Sequence, residues 1–142
     1  MARRRRAPGG QALTEFALVL PLFVMLVFGI IDFGRAVYLF NGVSQAAREI
    51  ARATSVHPSS PLGVSTEAAT VVSEQRKLVP GITRIVYHCE DTAGTTIPGD
   101  GSGGCAAPDV VRVEVHADFA PSALLGMFGT IDIGSSSSNQ MQ

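Results

Sequence analysis

The longest apolar stretch of the chain lies near its N-terminus, where residues 16–31 contain no charged side chain. From Gln11 to the end of this stretch, Glu15 is the single charged residue. An uncharged run of this length predicts a membrane-spanning helix. Sixteen helical residues rise only about 24 Å, which is short of a hydrocarbon core of about 30 Å. Flanking residues must complete the span, and we place it at about residues 13–35.

Pro21 lies inside this apolar stretch. Proline lacks the amide donor of a helix interior and clashes with the carbonyl four residues earlier. In a membrane helix the result is usually a kink rather than a break. We therefore expect a kink at Pro21.

The helical pattern continues beyond the span to about residue 56, because apolar residues recur there at helical spacing. Two prolines and a glycine in residues 55–63 then end the helix. One side of this amphipathic half is expected to cover a head domain. The apolar positions on that side are Val37, Phe40, Val43, Ala47, Ile50 and Ala51.

Residues 57–134 carry the pattern of a small head domain. A short helix is predicted over residues 65–78, because Ser65 is a good N-cap and a Pro-Gly pair follows the last turn. Residues 82–90 and 109–119 are predicted to be strands, the second because valine alternates with polar side chains. We expect these strands to form an antiparallel pair whose apolar face packs against the long helix.

The C-terminal residues complete this head. Residues 130–134 are predicted to form a third short strand. The polar tail at residues 135–142 is expected to be disordered. The fold class is therefore α+β: a long, single-pass N-terminal transmembrane helix of residues 11–56 extends into a small antiparallel-sheet head.

Charge divides the chain into a basic leader, residues 1–10, and an acidic remainder. The leader holds four arginines, and the rest of the chain carries seven basic and twelve acidic residues. This balance argues against nucleic acid as a partner of the main body. Arginines before an apolar helix favour a cytoplasmic N-terminus, so we expect insertion in the lipid bilayer of the cytoplasmic membrane with the head outside the cytoplasm.

Two routes could process such an N-terminus. A secretory signal peptide needs a small-residue cleavage site after the apolar stretch, and the residues after Ile31 show no clear site of that kind. A twin-arginine signal also fits poorly, because the apolar stretch is long and strongly hydrophobic. The other position for a cut lies before the apolar stretch, between Gly10 and Gln11.

The leader and the residues after it resemble the class III signal of the type IV pilin superfamily. In that signal a basic leader ends in glycine and the fifth residue after the cut is glutamate, as Gly10, Gln11 and Glu15 match here. Residues 15–23 and 29–35 further resemble the opening of the TadE-like family, pseudopilins or minor pilins of the tight-adherence (Flp) pilus system.

The resemblance is specific for residues 9–53 and has several implications. It implies cleavage between Gly10 and Gln11 by a membrane prepilin peptidase. It also implies partnership with other pilin or pseudopilin subunits and with Tad membrane assembly proteins, in a pilus used for adhesion or surface export. It implies no catalysis by the chain itself and no cofactor.

Glu15 needs a partner if it enters the membrane, because a buried charge there costs about 2.5–3.5 kcal/mol on insertion scales. Cleavage after Gly10 would create one, since the new amino group of Gln11 lies one helical turn away on the same face. The amine of a neighbouring subunit is a second possible partner. Alternatively, Glu15 lies at headgroup level and is solvated.

Cys89 and Cys105 bracket a loop rich in glycine, threonine and proline. In an exported domain this arrangement most simply predicts a disulfide. A zinc site built from His88, Cys89, Cys105 and His116 is an alternative, but its spacing matches no usual zinc pattern and neighbouring strand residues point to opposite faces. No Cys/His constellation typical of a cysteine nucleophile is present.

Two further sets of charged residues lie along the chain. Asp91, Asp100 and Asp109 lack the spacing of a calcium loop. Asp32 and Arg35, three residues apart, are predicted to form an intrahelical pair at the outer membrane boundary.

Two rival functions remain open at this point. One is an unprocessed, membrane-anchored surface domain that binds an extracellular ligand. The other is an exported enzyme, for which the sequence shows no catalytic constellation; a hydrolase activity that is lost when His88 or His116 is replaced would favour it.

Overall fold

The computed structural model describes residues 9–57, 59, 62–91, 93–96, 105, 109–122 and 129–141. Most of the leader, most of the loop before Pro108 and the apolar connection 123–128 lie outside the described residues. The predicted α+β fold is confirmed, because a long N-terminal helix is followed by a small three-stranded antiparallel sheet. The elements are α1 (Gly9–Val56), α2 (Thr66–Leu78), β1 (Ile82–Glu90), β2 (Val110–Phe119) and β3 (Ile131–Gln140).

Helix α1 is a single helix of 48 residues, and it continues through Pro21. Every residue from Gly10 to Ile31 is exposed, so the head covers none of this part. Within the described residues, α1 is the one helix long and apolar enough to cross a membrane. The kink at Pro21 stays a prediction.

The C-terminal half of α1 packs on the sheet. Its buried residues recur every three or four positions, as expected for one face of a helix, and they meet the inward side chains of β2. The buried apolar residues of α1 start at Val43, whereas Val37 and Phe40, which were predicted to pack on the head, are 43% and 49% exposed. The core is formed mainly by Val43, Ala46, Ala47, Ile50 and Ala51 of α1 and by Val111, Val113, Val115 and Ala117 of β2.

Helix α2 begins as its sequence predicts. The Oγ of Ser65 accepts a hydrogen bond from the amide of Ala68 at 3.2 Å, which is an N-cap. Glu67 lies in the first turn and Arg76 and Lys77 lie in the last, where each charge suits the helix dipole.

The turn before α2 packs beneath Tyr87 of β1. Gly63 has a φ of +77°, and a Cβ there would lie 2.4 Å from the Tyr87 ring, so both the backbone and the space require glycine. Burial raises the pKa of Tyr87, and the nearby Arg76 guanidinium partly offsets this rise. Tyr87 is partly buried and packs against the core.

Strand β2 is the centre of the sheet, with β1 and β3 antiparallel on either side. Its inward residues alternate with outward ones, and all of the predicted inward positions, Val111, Val113, Val115, Ala117 and Phe119, are buried. The predicted pairing of β1 with β2 and the predicted apolar face toward α1 are confirmed.

The expectation of a disordered tail from residue 135 is wrong, and so is the end of the head at residue 134. Strand β3 runs to Gln140, and Ser135 to Asn139 pair in register with β2. The physical reason is that β2 would otherwise leave backbone hydrogen-bonding groups unpaired along this edge. The polar composition of these residues does not oppose a strand, because their small side chains fit beside α1.

Side-chain hydrogen bonds hold β3 to α1. The Oγ of Ser44 donates to the Oγ of Ser135 at 3.1 Å, and Nδ2 of Asn139 donates to the Oγ of Ser55 at 2.9 Å. Met141 follows the strand and is buried in the core. The α1–β3 contact is thus largely a row of hydroxyl and amide groups with an apolar anchor at its end.

Candidate processing and assembly site

The peptide bond between Gly10 and Gln11 lies in the first turn of α1. The first amides of a helix have no intrahelical acceptor, so this turn opens more easily than the helix interior. A Cβ added at Gly10 would meet nothing within 4 Å. The fold itself therefore does not require glycine at this position.

The structure brings Gln11 and Glu15 together on one face of α1. Nε2 of Gln11 donates to Oε1 of Glu15 at 3.3 Å across one turn. Thr14 lies between them, and its hydroxyl is 3.0 Å from the carbonyl oxygen of Gly10 and 2.8 Å from that of Gln11. Glu15 is exposed to solvent in the isolated chain. Its side chain is thus placed to accept from any donor at the start of the helix.

Arg35 of α1 contacts the base of the head. Its Nη1 lies 3.3 Å from Oδ1 of Asp32, which is buried, and the predicted intrahelical pair is present. The same Nη1 donates to the Oγ of Ser122, and the guanidinium carbon lies 5.7 Å from the centre of the Phe119 ring. The sequence pattern did not predict Phe119 and Ser122 as partners, because they are distant in the chain. We call these four residues the junction clamp.

Replacing Arg35 by alanine is expected to loosen the end of β2 from α1. Exposed contacts of this kind contribute about 0.2–1 kcal/mol each, so the amides of residues 118–120 and 122 should exchange with deuterium about fivefold faster. Hydrogen exchange followed by mass spectrometry on the full chain in detergent micelles measures this. Arg48→Ala, an exposed arginine on the same helix, is the control and should leave these amides unchanged. Equal exchange in both variants would show that the junction clamp does not hold the head.

Cys89 and Cys105 are joined in a disulfide, with Cα atoms 5.7 Å apart. Both residues are buried at the edge of the core. Their sulfur atoms are therefore not free to bind the zinc ion considered above. Asp91, one of the three aspartates whose spacing does not fit a calcium loop, shapes a turn, since its Oδ1 accepts from the amides of Ala93 and Thr95 at 2.9 and 2.8 Å. Asp100 lies outside the described residues.

The two strand histidines lie on the outer face of the sheet, around Glu114. The Nε2 atoms of His88 and His116 are each 3.9 Å from Oε2 of Glu114. Nδ1 of His116 is also 2.9 Å from Oδ2 of Asp132 on β3. Sequence analysis missed this contact because it predicted a third strand at residues 130–134 but no partner for that strand. In the part of the chain that the structure describes, no group of three or more His, Cys, Asp or Glu side chains is arranged to hold a metal ion.

Comparison with known proteins finds a similarity, and it lies in α1. No curated protein and no solved structure matches the chain. A family model described as TadE-like protein matches residues 10–52. Members of that family are structural components of pili, and the family is not known as one of enzymes. The match confirms the resemblance found in the sequence: over residues 10–52, which make up most of α1, this chain is similar to the TadE-like family.

Proposed function

We propose that this protein is a TadE-like pseudopilin or minor pilin that a prepilin peptidase processes after Gly10 and that acts in assembly of a Tad (Flp) pilus for adhesion or surface export. The observation that carries the proposal is the family match, which begins at Gly10 and follows α1 to residue 52. The basic leader and the spacing from Gly10 to Glu15 support the same conclusion.

The topology proposed with this function follows from charge. Arginines 3–6 hold the N-terminus in the cytoplasm, α1 crosses the membrane, and the head lies outside the cytoplasm. The disulfide in the head suits that location, because disulfides persist in oxidising compartments.

Cleavage would change the chemistry at the start of α1. It would remove the leader and place a new ammonium group on Gln11, one turn from Glu15. The side chains of Gln11 and Glu15 already meet at 3.3 Å, so the new amine would lie near the Glu15 carboxylate. Alternatively, the amine of a neighbouring subunit would pair with this carboxylate. Either pairing lowers the cost of carrying Glu15 into an apolar surrounding.

Assembly would then use the exposed apolar part of α1, residues 10–31. Lipid tails and neighbouring apolar helices are similar surroundings, so moving this surface from lipid to a helix bundle costs little hydrophobic free energy. Side-chain packing and the pairing of Glu15 would then determine which neighbouring subunits α1 binds. The prepilin peptidase, other pilin subunits and Tad membrane proteins are the partners this role requires.

The decisive experiment is the N-terminal sequence and intact mass of the protein isolated from its native membrane. We expect the wild-type chain to begin at Gln11 and the Gly10→Ala variant to retain the leader. The space around Gly10 is open, so retention reports recognition by the peptidase rather than damage to the helix. Gly9→Ala is the matched control and should be processed normally.

A wild-type chain that keeps its arginine leader would contradict the proposal. The protein would then be an anchored surface domain, and the search would turn to a ligand of the head. Processing of Gly10→Ala at the same position would instead show that the glycine is not part of the recognition signal.

A further inference from the structure

A groove of about 640 Å³ lies where α1 leaves the predicted span and meets the base of the head. One wall is α1 from Ile31 to Gly42, and the other is formed by residues 78–81 and by the end of β2 at residues 118–120. The groove closes at its upper end, where a Cβ on Gly42 would lie 3.1 Å from Val79. Most of its lining is apolar.

The lower part of the groove coincides with the membrane boundary. It begins at Ile31, the last residue of the uncharged run, and reaches past Arg35. A bilayer adds about 5–8 Å of headgroup region on each side of its hydrocarbon core, and Tyr38 lies only about 4.5 Å beyond Arg35 along the helix. With α1 spanning the membrane as proposed above, this part of the groove lies at the level of the lipid glycerol and headgroups.

Two large side chains at the groove are exposed in the isolated chain. Tyr38 is 74% exposed and Leu78 is 68% exposed, and both line the groove. Tyrosine is enriched at membrane interfaces because its ring is apolar and its hydroxyl is polar. An exposed leucine alone is ordinary, but here it lies beside an apolar groove that is continuous with the membrane-spanning surface.

The groove carries no net positive charge. Its lining contains one cation, Arg35, which is already paired with Asp32, and one anion, Asp118. A site for a free anion would carry a net positive charge. This balance favours an uncharged occupant, namely the upper part of a phospholipid acyl chain.

We infer that the groove binds a phospholipid of the outer leaflet of the cytoplasmic membrane, so that the base of the head rests on the bilayer. The inference rests on the proposed topology of α1. The acyl chain fills the space between α1 and residues 78–81, and Tyr38 and Leu78 lie in the interface. Lipid charge does not decide the binding.

The chain contains no tryptophan, so one introduced tryptophan reports its surroundings by fluorescence. Three single variants of the full chain are reconstituted in phosphatidylcholine vesicles whose acyl chains carry bromine, which quenches tryptophan on contact. Leu78→Trp tests the groove, and Phe23→Trp tests the middle of the span. Val64→Trp is the matched control, because Val64 is 62% exposed and lies at the other end of α2, about 20 Å from Leu78.

The expected result is strong quenching of Leu78→Trp by bromine near the glycerol and of Phe23→Trp by bromine deep in the chain. Val64→Trp should lose no emission. Adding anionic lipid or salt should leave the quenching of Leu78→Trp unchanged.

Other results overturn the inference in distinguishable ways. If Phe23→Trp is not quenched, the proposed span itself is wrong. If Phe23→Trp is quenched and Leu78→Trp behaves like Val64→Trp, the span stands and the lipid site fails. A blue shift of Leu78→Trp without quenching would show that a second copy of the chain, not lipid, covers the groove. Dependence on anionic lipid would show binding through headgroup charge instead of through the groove.

Discussion

Serine at both Cys89 and Cys105 is expected to lower the free energy of unfolding of the head by about 3 kcal/mol. The two cysteines are 16 residues apart, and in the chain-entropy model a loop of this size is stabilised by about that amount when it is closed. Both side chains are buried, so each serine also places a hydroxyl in the core. Since about 1.4 kcal/mol is a factor of ten, amides of β2 should exchange with deuterium about a hundredfold faster.

The measurement is hydrogen exchange with mass spectrometry on the full chain in detergent micelles. Wild-type protein reduced with a thiol provides the matched control, because it lacks the bond but keeps both sulfur atoms in the core. We expect its exchange to approach that of the double variant, and any remaining difference measures the buried hydroxyl groups. Unchanged exchange in the double variant would mean that the loop is held closed by other contacts.

Replacing Ile50 by alanine is expected to lower the free energy of unfolding of the head by about 2–5 kcal/mol, the usual range for a buried isoleucine. Ile50 is 0% exposed and is among the largest fully buried side chains. It is part of the core between α1 and the sheet, so its loss leaves a cavity there. A head of this size has a small core and little reserve of stability.

Exchange of β1 and β2 amides in the full chain also measures this effect, and it should rise at least tenfold. The control is Val56→Ala, which shortens an exposed apolar side chain at the end of the same helix. If the β1 and β2 amides of Ile50→Ala exchange as slowly as those of the wild-type protein, neighbouring side chains must close the cavity. In that case the core would be more adaptable than its close packing suggests.

The fold was predictable where it depends on residues that are close together in the sequence. The alternation of valine with polar residues in β2 predicted its inward face, because successive side chains of a strand point to opposite sides. The cap at Ser65 was predictable for the same reason, since its partner Ala68 is three residues away. The polar residues of β3 carry no such alternation. Their pairing depends on the free edge of β2 and on Ser44 and Ser55 of α1, which are distant in the chain.

The same distinction holds for the functional residues. The pair of Asp32 and Arg35 was predictable from its spacing, whereas the contact of Arg35 with Ser122 spans 87 residues of sequence. The roles proposed for Gly10 and Glu15 come from the family resemblance, and the match over residues 10–52 supports that resemblance. Recognition by a peptidase depends on a second protein, so cleavage stays a prediction until the mature N-terminus is measured.

The unbroken course of α1 has a mechanical consequence. Its apolar part, which is the proposed membrane span, and its head-packing part are one helix. A helix transmits force along its axis because its hydrogen bonds run in that direction. A pull that draws the span outward by one residue therefore lifts the head by the same distance, about 1.5 Å. With the proposed topology, the height of the head above the membrane would directly measure how far the subunit has been extracted.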